Sequence, residues 1–127
     1  MARVTVVGEY PAFLESIHLT LGGIAAHEVA GLDGDQATLQ QVVASAPQLL
    51  IVDLRTEGEE MKGWDMLQLA RASPALRDIP LIVCFANMPR LRERANESAR
   101  VGNVWTLAKP FSAEEVSAIV GLALKGG

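Results

Sequence analysis

Five short apolar segments recur along the 127 residues, bounded by Gly, Pro or Asp, and patterns of helical spacing fill the gaps between them. The segments are "RVTVV" (3–7), "AAHEVAG" (25–31), "QLLIVD" (48–53), "PLIVCFA" (80–86) and "NVWTLA" (103–108). Runs that are β-branched or continuously apolar read as strands covered on both faces, which is the habit of parallel sheets. Each gap is long enough for a crossover helix, so the alternation predicts a doubly wound, five-stranded parallel α/β sheet with helices on both faces. No repeat or second apolar core interrupts the pattern, and residues 1–127 are read as a single domain.

The gaps carry single-faced helices. Leu14, Ile17 and Leu21 mark the first, and Leu39, Val42, Val43 and Ala46 the second, with Asp35 as the expected cap and Pro47 as the stop. The third is predicted over 64–72 and the fourth over 88–99, where the apolar face rests on Leu91 and Ala95. In the last, Ser112 and Glu115 form a capping box and Phe111 can staple onto Val116.

Charge and cysteine content narrow the function. Fifteen acidic against 11 basic residues give a net charge of −4, which sets no field favourable to nucleic acid or an anionic bilayer. The longest apolar run, "LIVCFA" (81–86), is far short of a membrane span, and the N-terminus lacks the pattern of a signal peptide, so a cytoplasmic location is expected. Cys84 lies inside that run and reads as a buried, reduced thiol. One cysteine with His18 and His27 far apart supplies no zinc spacing, and no glycine-rich loop of phosphate-cradling spacing occurs. Four arginines in "RLRERANESAR" (90–100) are interrupted by Glu93 and Glu97, as on a solvated helix face.

Asp53 closes the third predicted strand behind four apolar residues, "LLIVDLR" (49–55). In open parallel sheets ligands bind beyond the carboxyl ends of the strands, so this acid belongs at the mouth of the core. Glu9 follows the first strand and Lys109 the fifth, and the three charges are expected to gather at that edge. Two carboxylates beside an ammonium can hold Mg2+ and neutralise a phosphoryl group while Asp53 attacks phosphorus.

With those residues in view, the chain from about Arg3 to about Leu124 resembles the receiver domain of bacterial two-component response regulators. The similarity is carried by "LLIVDLR", by "LRDIPLIV" (76–83) leading into the fourth strand, and by the Lys-Pro turn of "AKPFSAEEV" (108–116). The resemblance implies a flavodoxin-like fold and a role in phosphorelay signalling. It makes Asp53 the acceptor of a phosphoryl group from a histidine kinase or phosphotransfer protein, and Lys109 its charge partner. It implies Mg2+ held by Glu9, Asp53 and the backbone carbonyl of Arg55. A downstream protein would dock on the fourth helix, fifth strand and fifth helix. It also implies no enzymatic turnover beyond the domain's own phosphorylation and dephosphorylation.

Several positions depart from the family pattern. Gly8 stands where a first acid usually precedes Glu9, which weakens Mg2+ binding. Phe85 replaces the hydroxyl residue that closes the fourth strand; it cannot donate to a phosphoryl oxygen, and its ring is large enough to intrude on that space. Thr106, with Trp105 before it, takes the place of the switching aromatic, so both switch positions have changed. The segment "DLRTEGEEMKG" (53–63) reads as a loop about two residues longer than usual, bearing Glu57, Glu59 and Glu60. These departures keep open a phosphorylation-independent pseudo-receiver acting as an interaction module. A phosphatase is disfavoured because Arg55 stands where a second acid would be needed.

Overall fold

Uninterrupted runs such as Leu49–Val52 and Leu81–Cys84 form strands because only a sheet covered on both faces buries every residue of such a run. In the computed structural model, which describes residues 2–8, 10–23, 27–33, 37–57, 60–100 and 102–126, these runs lie at the centre of the sheet. The elements in order are β1 (Arg3–Gly8), α1 (Pro11–Gly22), β2 (Glu28–Asp33), α2 (Leu39–Ala44), β3 (Leu49–Glu57), β4 (Glu60–Lys62), α3 (Trp64–Ala72), β5 (Leu81–Ala86), α4 (Pro89–Ala99), β6 (Val104–Lys109) and α5 (Ala113–Gly126). Five strands pair in parallel in the order β2-β1-β3-β5-β6. The chain passes from β1 outward to β2 and then returns to the other side of β1, so the winding reverses between β1 and β3. Crevices open at such a reversal, beyond the strands' carboxyl ends.

Helices cover both faces. Ile17 and Leu21 of α1 and Val116, Val120 and Ala123 of α5 join one core with Val4, Val6, Ile51 and Ile82. Val42 of α2, Met66, Leu67 and Ala70 of α3, and Leu91 and Ala95 of α4 join the other with Leu50, Val52, Leu54, Val83 and Phe85. The odd–even division of β3 and β5 between the two cores follows from the period-2 alternation of a strand. Arg71 ties the second layer to the sheet's lower edge. Its guanidinium donates to the carbonyls of Arg77 (2.8 Å), Ile79 (3.1 Å) and Asn103 (2.9 Å).

Four local expectations are corrected. The second strand, expected over 25–31, is described from Glu28 to Asp33, because β1 offers partners only from Arg3↔Glu28 to Gly8↔Asp33. Residues 25 and 26 lie outside the described residues. The expected loop 53–63 is largely strand: β3 continues to Glu57 and pairs antiparallel with β4, Arg55 opposite Lys62 and Thr56 opposite Met61. The cap of α2 is Thr38, whose Oγ1 accepts from the Gln41 amide (3.2 Å) while Gln41 Oε1 accepts from the Thr38 amide (2.9 Å); Asp35 lies outside the described residues. Ala46 falls beyond α2, at a positive φ of 48°, so it is no part of the inward face. At α5 the Ser112–Glu115 box forms as expected, with both bonds at 3.1 Å.

Candidate functional site

The register of the sheet places three strand ends side by side. Val7 pairs with Val52, which sets Gly8 next to Asp53; Asp53 pairs with Cys84, and Ala86 with Lys109. Residues 51 and 84 belong to the α1/α5 core and residues 52 and 54 to the other, so Asp53 turns toward the α1/α5 face. Lys109, two residues after Leu107 of that core, turns the same way. Its ammonium lies 2.7 Å from Asp53 Oδ1. The peptide bond that follows, Lys109–Pro110, is cis.

Asp53 is the one charged residue in the buried set among the described residues, and its side chain has no exposed surface. The Lys109 contact is an ion pair, and neither carboxylate oxygen receives a hydrogen bond of ordinary direction from the described residues. Burial therefore raises the Asp53 pKa above the ordinary carboxylate value, and Lys109, through its contact and its charge, opposes that rise without cancelling it. Behind the acid, Gly63 adopts φ 91°, and a Cβ there would lie 2.5 Å from the Asp53 carbonyl oxygen. Only glycine lets α3 begin this close to β3. Cys84 is fully buried, and burial first, then the neighbouring Asp53, pushes its thiol well above the ordinary range. It is a core residue and no nucleophile.

An aromatic wall closes the front. A Cβ on Gly8 would meet Phe13 Cδ2 at 2.8 Å and Cε2 at 3.0 Å, and Asp53 Cβ at 3.5 Å, so the Phe13 ring fills the space of a side chain at residue 8. The Lys109 ammonium sits 4.7 Å from the centroid of that ring. Phe13 in turn meets Phe111 edge-on, with centroids 6.4 Å apart and planes at 75°. A cation–π contact and an aromatic pair of this kind contribute about 0.5–1.5 kcal/mol each. Lys109 is thus held between a carboxylate and a ring face.

The other candidate residues are distributed as follows. Glu9 lies outside the described residues, as does Glu59. Arg55 belongs to the β3–β4 ladder, and its guanidinium carbon is 5.3 Å from the centroid of the Tyr10 ring. Phe85 is 2% exposed and joins the core under α2, α3 and α4, across the sheet from Asp53, with the Arg92 guanidinium 5.7 Å from its ring centroid. The ring therefore does not intrude on the Asp53 side. Thr106 pairs with Val83 and Trp105 with Ile82; both are half-buried, and Trp105 packs against the α1/α5 core. Sequence reasoning missed Phe13. The available signal was Gly8 itself, since a strand end without a side chain beside a buried acid leaves a space that some neighbour must fill.

Fitted against this geometry, a Mg2+ cage is not made by the described residues. Asp53 Oδ2 is an orphaned oxygen suited to a hard cation, but Oδ1 is taken by an ammonium and the place of a first acid by a phenyl ring. No cluster of three or more His, Cys, Asp or Glu occurs among the described residues. None of their helices is long and apolar enough to cross a membrane.

A five-stranded parallel sheet in this order, with an acid closing its central strand and a Lys-Pro turn closing the last, has the fold of response-regulator receiver domains. Solved structures that carry that description are among those it matches. A protein from Chloroflexus aurantiacus described as a response regulator superposes with a TM-score of 0.82 at 25% identity, over 98% of both chains. The signal receiver domain of a histidine kinase from Syntrophus aciditrophicus gives 0.81 at 20% identity, over 99% of this chain and 92% of that one. The chemotaxis protein CheY4 of Vibrio cholerae gives 0.77 at 20%, over 97% and 98%. No protein-family model matches the sequence, and no curated protein matches it.

Proposed function

We propose that this receiver-fold domain is a signalling module in which Asp53 accepts a phosphoryl group from a histidine kinase or phosphotransfer protein and a protein partner reads the result. The observation that carries the reading is the 2.7 Å pairing of Lys109 with a carboxylate at the winding reversal of the sheet. A carboxylate oxygen attacks phosphorus, the bond from phosphorus to the donor breaks, and the donor's leaving group departs with that electron pair. Lys109 offsets the charge that arrives. The described residues do not form the Mg2+ cage that the resemblance implies. The domain acts as an acceptor and not as a catalyst on other molecules, and the surface of α4, β6 and α5 is where a partner would read it.

A second reading has its own observation. Phe85 is buried across the sheet from Asp53, so no hydroxyl at that position stands beside the acid to sense a phosphoryl group. A pseudo-receiver, docking its partner through the same surface without phosphorylation, fits that arrangement. Intact-mass measurement after acetyl phosphate and Mg2+ separates the two. The acceptor reading expects a gain of one phosphoryl group in the natural chain and none in Asp53→Asn. An unmodified natural chain, or equal labelling of Asp53→Asn, favours the pseudo-receiver.

A further inference from the structure

Helix α4 turns a tapering stripe to the sheet: Leu91 and Ala95 are buried, and Ser98 follows at the next inward position, where a larger apolar residue would close the gap to α3. A cleft opens there instead. It holds about 280 Å3 beside Ser98, on the α2/α3/α4 face of the sheet and so across it from Asp53. Leu81 and Val104, paired at the start of β5 and β6, form its floor, and Trp64 and Leu67 of α3 its wall. The lining is almost wholly apolar.

Arg71 brings an unbalanced charge into that lining. Its Nη1 donates to the carbonyls of Arg77 and Ile79 and its Nη2 to that of Asn103, while Nε is buried with no partner among the described residues. Asp78 is 91% exposed and lies 4.0 Å from Arg77, so its charge opposes only in part the fall that burial imposes on the Arg71 pKa. Glu97, also in the lining, is paired with Arg94 at 3.3 Å, and the Arg94 guanidinium carbon lies 5.0 Å from the centroid of the Trp64 ring. The cleft thus combines apolar walls with a surplus of positive charge.

We propose that the α3–α4 cleft binds a small planar aromatic acid of about two fused rings, the rings against Trp64 and Leu81 and the carboxylate toward Arg71. A cavity of about 150 Å3 takes up benzene, so one of about 280 Å3 has room for a second ring. An anion answers the surplus charge. Because Arg71 Nε is covered, the attraction is that of the charge and not of a hydrogen bond to that atom. A free molecule fits better than a residue of a partner protein, since no side chain joins an aromatic ring to a carboxylate. The cleft lies apart from the Asp53 chemistry, and the inference does not rest on the acceptor reading.

Proton–nitrogen NMR of the natural chain, titrated with 2-naphthoate and with 2-naphthylmethylammonium, reads the indole N–H of Trp64 against that of Trp105, which packs against the opposite core. The cleft predicts a saturable Trp64 shift with naphthoate at about 1 mM or below, and binding of the ammonium weaker by about tenfold or more. Ser98→Phe fills the cleft from its edge and should abolish the shift in a folded chain. Glu97→Gln removes the carboxylate in the lining and should tighten naphthoate binding about two- to fivefold. Absence of a saturable Trp64 shift overturns the site, and so does undiminished binding in folded Ser98→Phe. Ammonium bound as well as naphthoate overturns it too, and that comparison needs no variant.

Discussion

Lys109→Met should destabilise the domain by about 3 kcal/mol at neutral pH, the range for breaking a buried ion pair from one side, taken at its low end because Lys109 is 28% exposed. The loss comes from the partner left behind. Asp53 has no exposed surface and no other described group to answer its charge, so it must stay ionised in an apolar site or bind a proton. The penalty should therefore shrink as pH falls through the folded Asp53 value, where the acid is neutral in either chain. Adding Asp53→Asn to Lys109→Met should recover most of the loss. Urea unfolding of the two single variants and the double variant at neutral and acidic pH measures the coupling. Additive losses in the double variant would mean that the two groups do not act as a pair.

Gly63→Ala should be comparably damaging, at about 2–5 kcal/mol, and for a reason confined to the backbone. A left-handed φ costs a non-glycine residue about 1–2 kcal/mol, and forcing the new methyl past its neighbour adds about 1–3 kcal/mol. That neighbour is the carbonyl oxygen of Asp53, 2.5 Å from where the methyl would sit, so relief requires the backbones of Asp53 and residue 63 to move apart. Gly102→Ala is the control: its φ is 87° but no atom lies within 4 Å of the added Cβ, so it should show the conformational cost alone. Equal destabilisation of the two variants, read from urea midpoints, would remove the claim that Gly63 sets the position of Asp53.

Why some of this was legible in the sequence and some was not comes down to how local each signal is. Strands β1, β3 and β5 announce themselves because burial on both faces leaves little place for a polar residue, Thr5 of β1 being admitted with its hydroxyl bonded to that of Ser45, and the acid that breaks the run in β3 marks its mouth. Helix α3 falls over 64–72 as expected, and the Ser112–Glu115 box fixes the start of α5, since both depend on neighbours in the chain. Helix α2 shows the same rule from its other side: Thr38 and Gln41 are a capping pair with the right spacing, but Asp35 offered a competing start. Strand β2 is an edge strand with only Val29 and Leu32 half-buried, so its limits come from its partner β1 and not from its own residues. The β3–β4 hairpin was hidden because its charged residues read as a solvent loop. Phe13 was hidden as part of the site because its place there arises from packing against a glycine in another element, and the bare Gly8 signals a space to fill without naming the residue that fills it.

The claim on which the site rests is that Asp53 is sealed from water and, among the described residues, answered by Lys109 alone. A pH titration of the Asp53 carboxyl carbon by NMR, in the natural chain and in Lys109→Met, tests it most directly. The account predicts a pKa above the ordinary carboxylate value in the natural chain, because burial outweighs the ammonium, and a further rise without Lys109. Linkage then fixes the sign for stability. The folded state holds this proton to higher pH than the unfolded state, so Asp53's contribution to stability is fully present below the unfolded value and falls as pH rises through the folded one. A carboxyl that titrates at or below the ordinary value, or that is indifferent to the loss of Lys109, would contradict the account.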